Sequence, residues 1–131
     1  MRLLSAILVG LILSAPPALA AEPIVVSIIQ LIATPKSFDG KRVIVVGVPR
    51  IQFEGNCLFL HKEDYEASLA PNALWLSVPR DKYAAWKALE GRYVTVHGTF
   101  NAEHKGHLGV YGGALQDITQ FDVLSSAKDS R

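Results

Sequence analysis

The stretch Val43-Ile44-Val45-Val46-Gly47-Val48 restricts what this chain can fold into more than any other segment. All of its residues but Gly47 are β-branched, so they lose side-chain freedom in a helix and pack well on a pleated surface. The run is too short for a stable helix and reads as a strand buried on both faces. Gly47 inside it marks a bulge or a sharp bend of the kind a small barrel needs. The turn Phe38-Asp39-Gly40-Lys41 opens the run.

The segments around it have their own periods. Upstream, residues 21–25 are a short lead-in, and Ser27-Ile28-Ile29-Gln30 is a capping box. It starts a short helix with Ile28, Leu31 and Ile32 on one face, ended by Pro35. Downstream, Glu54-Gly55-Asn56 turns the chain into a second strand at about Cys57–His61, followed by a polar segment from Lys62 to Asn72. A third strand, Ala73 to Val78, puts Leu74, Leu76 and Val78 on one face and Trp75 and Ser77 on the other, and Pro79 closes it. Asp81 is placed to cap a helix through Leu89, with Tyr83, Trp86 and Leu89 along one side and Gly91 as its stop. From Tyr93 to Phe100 the chain alternates, with Val94, Val96 and Phe100 inward. After the loop 101–106, a last strand region spans about His107 to Asp122, with glycines at 109, 112 and 113. Residues 125–131 form a polar tail of the kind that frays.

The expected fold class is all-β with one or two short helices. Five strands form a Greek-key barrel, one helix lies between strands three and four, and an extra helix precedes them. That order is the arrangement of the OB-fold. Three segments carry a specific resemblance. Asp39-Gly40-Lys41-Arg42-Val43 with Gly47 resembles the first strand of OB-fold domains. Gly91-Arg92-Tyr93-Val94-Thr95-Val96-His97-Gly98-Thr99 resembles their fourth, and Gly112-Gly113-Ala114-Leu115-Gln116-Asp117-Ile118 their fifth. The chain is most similar to small exported bacterial OB-fold proteins without an assigned activity, over most of residues 41–122. Such motifs fix backbone geometry and constrain function little.

Export is read from the first twenty residues. Arg2 supplies a positive start, Leu3 to Leu13 an apolar run, Pro16-Pro17 a break and Ala18-Leu19-Ala20 a small-x-small cleavage site. The run is too short for a spanning helix, so residues 1–20 are expected to be a signal peptide and residues 21–131 a single domain with its core at about 41–122. The expected location is periplasmic or secreted, with no membrane span after cleavage. Of the 13 basic residues only Arg2 leaves with the signal, so twelve bases face twelve acids in what remains. That balance lacks the basic footprint nucleic-acid binding needs, so nucleic acid is a disfavoured partner. The lone cysteine, Cys57, excludes an internal disulfide and reads as a buried, inert thiol.

The resemblance implies ligand binding on the face of strands two and three and in the flanking loops. That face carries Cys57, Phe59, His61, Trp75 and Ser77. Trp75 can stack on a sugar or heterocycle; alternatively it covers a second core layer, such as the N-terminal helix. The candidate ligand-binding residues are His61, Tyr65, Trp75, Asn101, His104 and His107. Imidazoles and carboxylates at His61, Glu63, Asp64, His104 and His107 are the donor types zinc and other divalent metals take, if loop 101–107 folds over the end of strand two. The other reading is solvated loop histidines, since no recognised zinc signature is present. Asn101 also suits a turn. No nucleophile stands beside a base and no serine lies in an elbow pattern, so no catalytic residue is assigned. The expected function is a non-enzymatic binding module, without cofactor, for a small ligand or another envelope protein. The alternative is a metal-binding protein or metal-dependent hydrolase.

Overall fold

Alternation of apolar and polar residues builds a ring of strands with one face inward. In the computed structural model, which describes residues 15–17 and 19–125, β1 is Ile24–Val25, β2 Arg42–Arg50, β3 Cys57–Phe59, β4 Ala73–Leu76, β5 Val94–Asn101 and β6 Ala114–Val123. The sheet order is β1-β2-β3-β4-β6-β5, and β2 pairs again with β5 to close the ring. β4 and β6 run parallel, as do β1 and β2, and the other pairs are antiparallel. The result is a closed five-stranded OB-fold-like barrel with β1 added alongside β2. The export reading of residues 1–20 falls largely on residues outside the described ones, as does the tail beyond Ser125.

Gly47 is where β2 changes partners. Residues 42–47 pair with β5, and Val48 to Arg50 pair with β3. A Cβ on Gly47 would stand 2.6 Å from the Phe59 carbonyl oxygen and 2.7 Å from Leu58 Cγ, so the bend works only without a side chain. The inward rows are Val43 and Val45, Leu58, Leu74 and Leu76, Val94, Val96 and Phe100, and Leu115, all fully buried. The expectation that the run 43–48 is buried on both faces does not hold. Ile44 is partly exposed and Val46 39% exposed, because an antiparallel barrel strand has only one inward face.

Among the described residues three short α-helices complete the fold, one more than the upper number expected. α1 (Ile28–Ala33) begins at the Ser27 capping box, with Ser27 Oγ accepting from Gln30 N–H and the Gln30 side chain accepting from Ser27 N–H. Ile28 and Leu31 enter the barrel core, where α1 buries its apolar face. α2 (Lys62–Ala67) lies where only a polar segment was expected. α3 (Tyr83–Lys87) follows a 3-10 turn at Arg80–Lys82, so Asp81 sits inside that turn and does not cap the helix. Trp86 stacks on Phe121 with ring centroids 4.4 Å apart. The last strand is also shorter than read: His107–Gly109 is a 3-10 turn, and pairing begins at Ala114. Among the described residues no helix is long and apolar enough to cross a membrane.

Candidate functional site

Strand register sets two rows across the outer face of β2, β3 and β4. One row is Val48, Phe59 and Ala73; the other is Arg50, Cys57 and Trp75. Outward residues of a barrel normally meet water, yet Val48, Cys57, Phe59 and Ala73 are all 2% exposed or less. Tyr65, Tyr93 and Tyr111 pack over them as a second apolar layer. Much of the face expected to take a ligand is therefore covered by the chain itself, and Cys57 and Phe59 lie beneath that cover.

Arg50 holds one side of the cover in place. Its guanidinium lies 4.5 Å from the Tyr65 ring centroid and 5.0 Å from that of Phe59. It donates to Ser68 Oγ at 2.8 Å and to the Tyr65 carbonyl, at the C-terminal end of α2 where a cation is favoured. Tyr65, a candidate ligand residue, is thus engaged with Arg50 and edge-on to Phe59.

Residues 102–113 hold the other side. Asn101 shapes the entry: its Oδ1 accepts from the N–H groups of Glu103 and His104, both at 3.0 Å, and its Nδ2 donates to Gln116. It serves the turn. Ala102 N–H donates to Asp39 Oδ1 at 2.8 Å, and at the far end Gly112 N–H donates to the Ala73 carbonyl. Between these anchors the loop lies against Trp75. The His104 ring stacks at 6.4 Å and 28°, and Tyr111 tilts in at 5.4 Å. Gly106, at φ +68°, passes so close that a Cβ would stand 2.6 Å from Trp75 Cε3. Trp75 keeps part of its surface open, and His104 is exposed.

Tyr111 also reaches Cys57, and a side-chain hydrogen bond links the two. Burial pushes the Cys57 thiol up from 9.0 to about 12, against the pull of the Arg50 charge and the Tyr111 hydrogen bond. Burial, with the neighbouring thiol, takes the Tyr111 phenol from 10.0 up to about 12. The folded state keeps protons that the unfolded chain releases from about pH 9 upward, so this pair lowers stability as pH rises from 9 toward 12. Urea midpoints of the wild type are expected to decline over that range, and Cys57→Ala/Tyr111→Phe to show a shallower decline. An unchanged slope would place the alkaline loss elsewhere.

The remaining candidates divide between the two ends of β3. His61 is the N-cap residue of α2 without a side-chain capping bond, and Glu63 and Asp64 occupy the first helical turn. Asp64 Oδ1 accepts from Asn72 Nδ2 at 2.9 Å. These three follow β3. His107 is tied instead to the loop that precedes β3: its Nε2 lies 3.6 Å from Glu54 Oε2. His104 Nδ1 accepts from Gly106 N–H. The structure brings together Trp75 and His104, and joins His107 to Glu54. It does not bring His61, Glu63 and Asp64 to His104 and His107. Among the described residues no group of three or more His, Cys, Asp or Glu side chains is placed to hold a metal ion.

Arg50, Tyr111, Glu54 and Phe53 belong to this region and escape a reading by motif. An apolar Phe53 beside the turn Glu54-Gly55-Asn56 was the one sequence signal available. Neither a protein-family model nor a curated protein matches the chain.

Proposed function

We propose that the protein is an exported binding module, periplasmic or secreted, that takes a small ligand or a segment of another envelope protein against Trp75 and His104. The observation that carries this reading is the partly open Trp75 ring beside the exposed His104 ring, on a loop anchored at both ends. A fixed aromatic pair gives a planar or apolar group two faces to stack on at little cost in ordering. No observation favours the alternative in which His61, Glu63, Asp64, His104 and His107 bind a metal.

Tryptophan emission supplies the test, because Trp86 is buried in the core and Trp75 is partly open. Fractions of envelope small molecules and proteins are titrated into the chain that starts at Ala21, a start checked by mass. Some fraction is expected to change the emission of the wild type and not of Trp75→Ala, whose thermal melt stays cooperative. No response to any fraction would overturn the reading; a collapsed Trp75→Ala melt would mean that the ring serves the fold.

A further inference from the structure

We infer that the end of the barrel formed by loops 51–56 and 102–113 seats its apolar tips in the interfacial layer of a lipid bilayer. This goes beyond the Trp75 reading and uses other side chains. Phe53 is 86% exposed, Leu108 82% and Val110 45%. Phe53 adjoins Glu54 and Leu108 adjoins His107, and the 3.6 Å contact between Glu54 and His107 makes one tip of the two loops.

The backbone there is held against local preference. Glu54 stands at φ +54° and Leu108 at φ +59°, left-handed values that disfavour any residue but glycine. In Leu108 the strained backbone turns an apolar side chain into water, so chain conformation and hydration are unfavourable at the same residue. Insertion into an apolar layer relieves the second of these.

The size of the tip selects the occupant. A stable protein interface buries about 800 Å² on each partner, and a large aromatic side chain supplies about 150–250 Å². Three side chains separated by Glu54, His107 and Gly109 fall short of that, whereas a bilayer interface accepts isolated aromatic and aliphatic tips. Behind the tips, Lys87 Nζ donates to the Ile51 carbonyl at 2.8 Å and Lys105 Nζ to the Gly112 carbonyl at 3.3 Å. Each loop thus has an ammonium bonded to the backbone at its base. Glu54 pairs with His107, Glu90 pairs with Lys87, and Glu103 is exposed. These carboxylates offset the cations, so the contact is apolar in character and weakly dependent on salt.

The chain starting at Ala21 is sedimented with vesicles of phosphatidylcholine alone and of phosphatidylethanolamine with phosphatidylglycerol. Binding to both is expected, with less than a threefold change on raising salt. Phe53→Ser/Leu108→Ser loses at least tenfold in vesicle affinity and keeps the ligand-dependent change in Trp75 emission, which separates this inference from the ligand reading. Val25→Ser, at an exposed apolar site on β1, binds vesicles as the wild type does. Leu108→Gly, suited to the left-handed backbone, is expected to melt higher and yet bind vesicles more weakly. In Phe53→Trp, emission moves to the blue on vesicles. Wild type left in the supernatant, a double variant that binds unchanged, or a concentration-dependent dimer abolished by the double variant would each overturn the inference, the last in favour of a second copy.

Discussion

Phe100→Ala is expected to remove about 3–5 kcal/mol of stability, the range for truncating a fully buried aromatic. Phe100 is fully buried on β5, opposite Leu115 of β6. Its ring fills the space above Gly113, where a Cβ would stand 2.5 Å from Phe100 Cε2. Its backbone joins the same seam: the carbonyl accepts from Gly40 N–H at 2.8 Å and the N–H donates to the Lys41 carbonyl at 3.0 Å. These bonds hold the neighbours in place, so the site cannot collapse onto the void. For a domain of this size the loss is a large share of all the stability there is. A urea titration should show a much lower midpoint at an unchanged slope. A loss under about 1 kcal/mol would mean that the core repacks around the missing ring.

Gly47→Ala is the second large effect, expected at about 1–3 kcal/mol and at the upper end of what overpacking costs. The nearest atom to the added methyl is the Phe59 carbonyl oxygen at 2.6 Å, which is backbone and cannot swing aside. Relief requires β2 and β3 to part at the point where β2 changes partners. Gly40→Ala is the control. Gly40 stands at φ +73° with nothing within 4 Å, so only the left-handed penalty of about 1–2 kcal/mol applies. The two variants therefore differ in kind. Gly47→Ala should speed hydrogen exchange at the β2–β3 pairs Val48–Phe59 and Arg50–Cys57, and Gly40→Ala should leave those amides protected. Equal protection in both would show that β3 yields without losing its pairing.

The barrel was legible wherever one face of an element meets the core. Val94, Val96 and Phe100 alternate with polar residues because β5 has water on one side. The Ser27–Gln30 box is a local bonding pattern, readable without any tertiary knowledge. α2 was not legible, because Lys62 to Ala67 carries no apolar stripe and its hold on the barrel is Tyr65 against Arg50 and Phe59. The run 43–48 misled for a related reason: β-branched residues fill both faces of β2 whether or not the outer one is covered. The pairing of Glu54 with His107 and the approach of Gly106 to Trp75 depend on how two loops cross, and no period in the chain encodes a crossing. Trp75 was placed correctly on the outer face of its strand. What covers it, the loop after β5, could not be read from its own neighbours.

The second pairing of β2, with β5, also governs how safely the chain can be handled in solution. A sheet that ends leaves a row of unmatched N–H and C=O groups, a template on which another chain can add a strand and begin aggregation. Here the ring returns on itself, while β6 meets β4 only at Ala114 and Leu115 and beyond them pairs with β5 alone. The strand beside the ring, β1, offers an outer edge of only Ile24 and Val25. Pro23 stands directly ahead of that edge and has no N–H to extend it. Two residues after a proline are too few to seed a growing sheet, so the edge that β1 adds resists strand addition even with Val25 80% exposed.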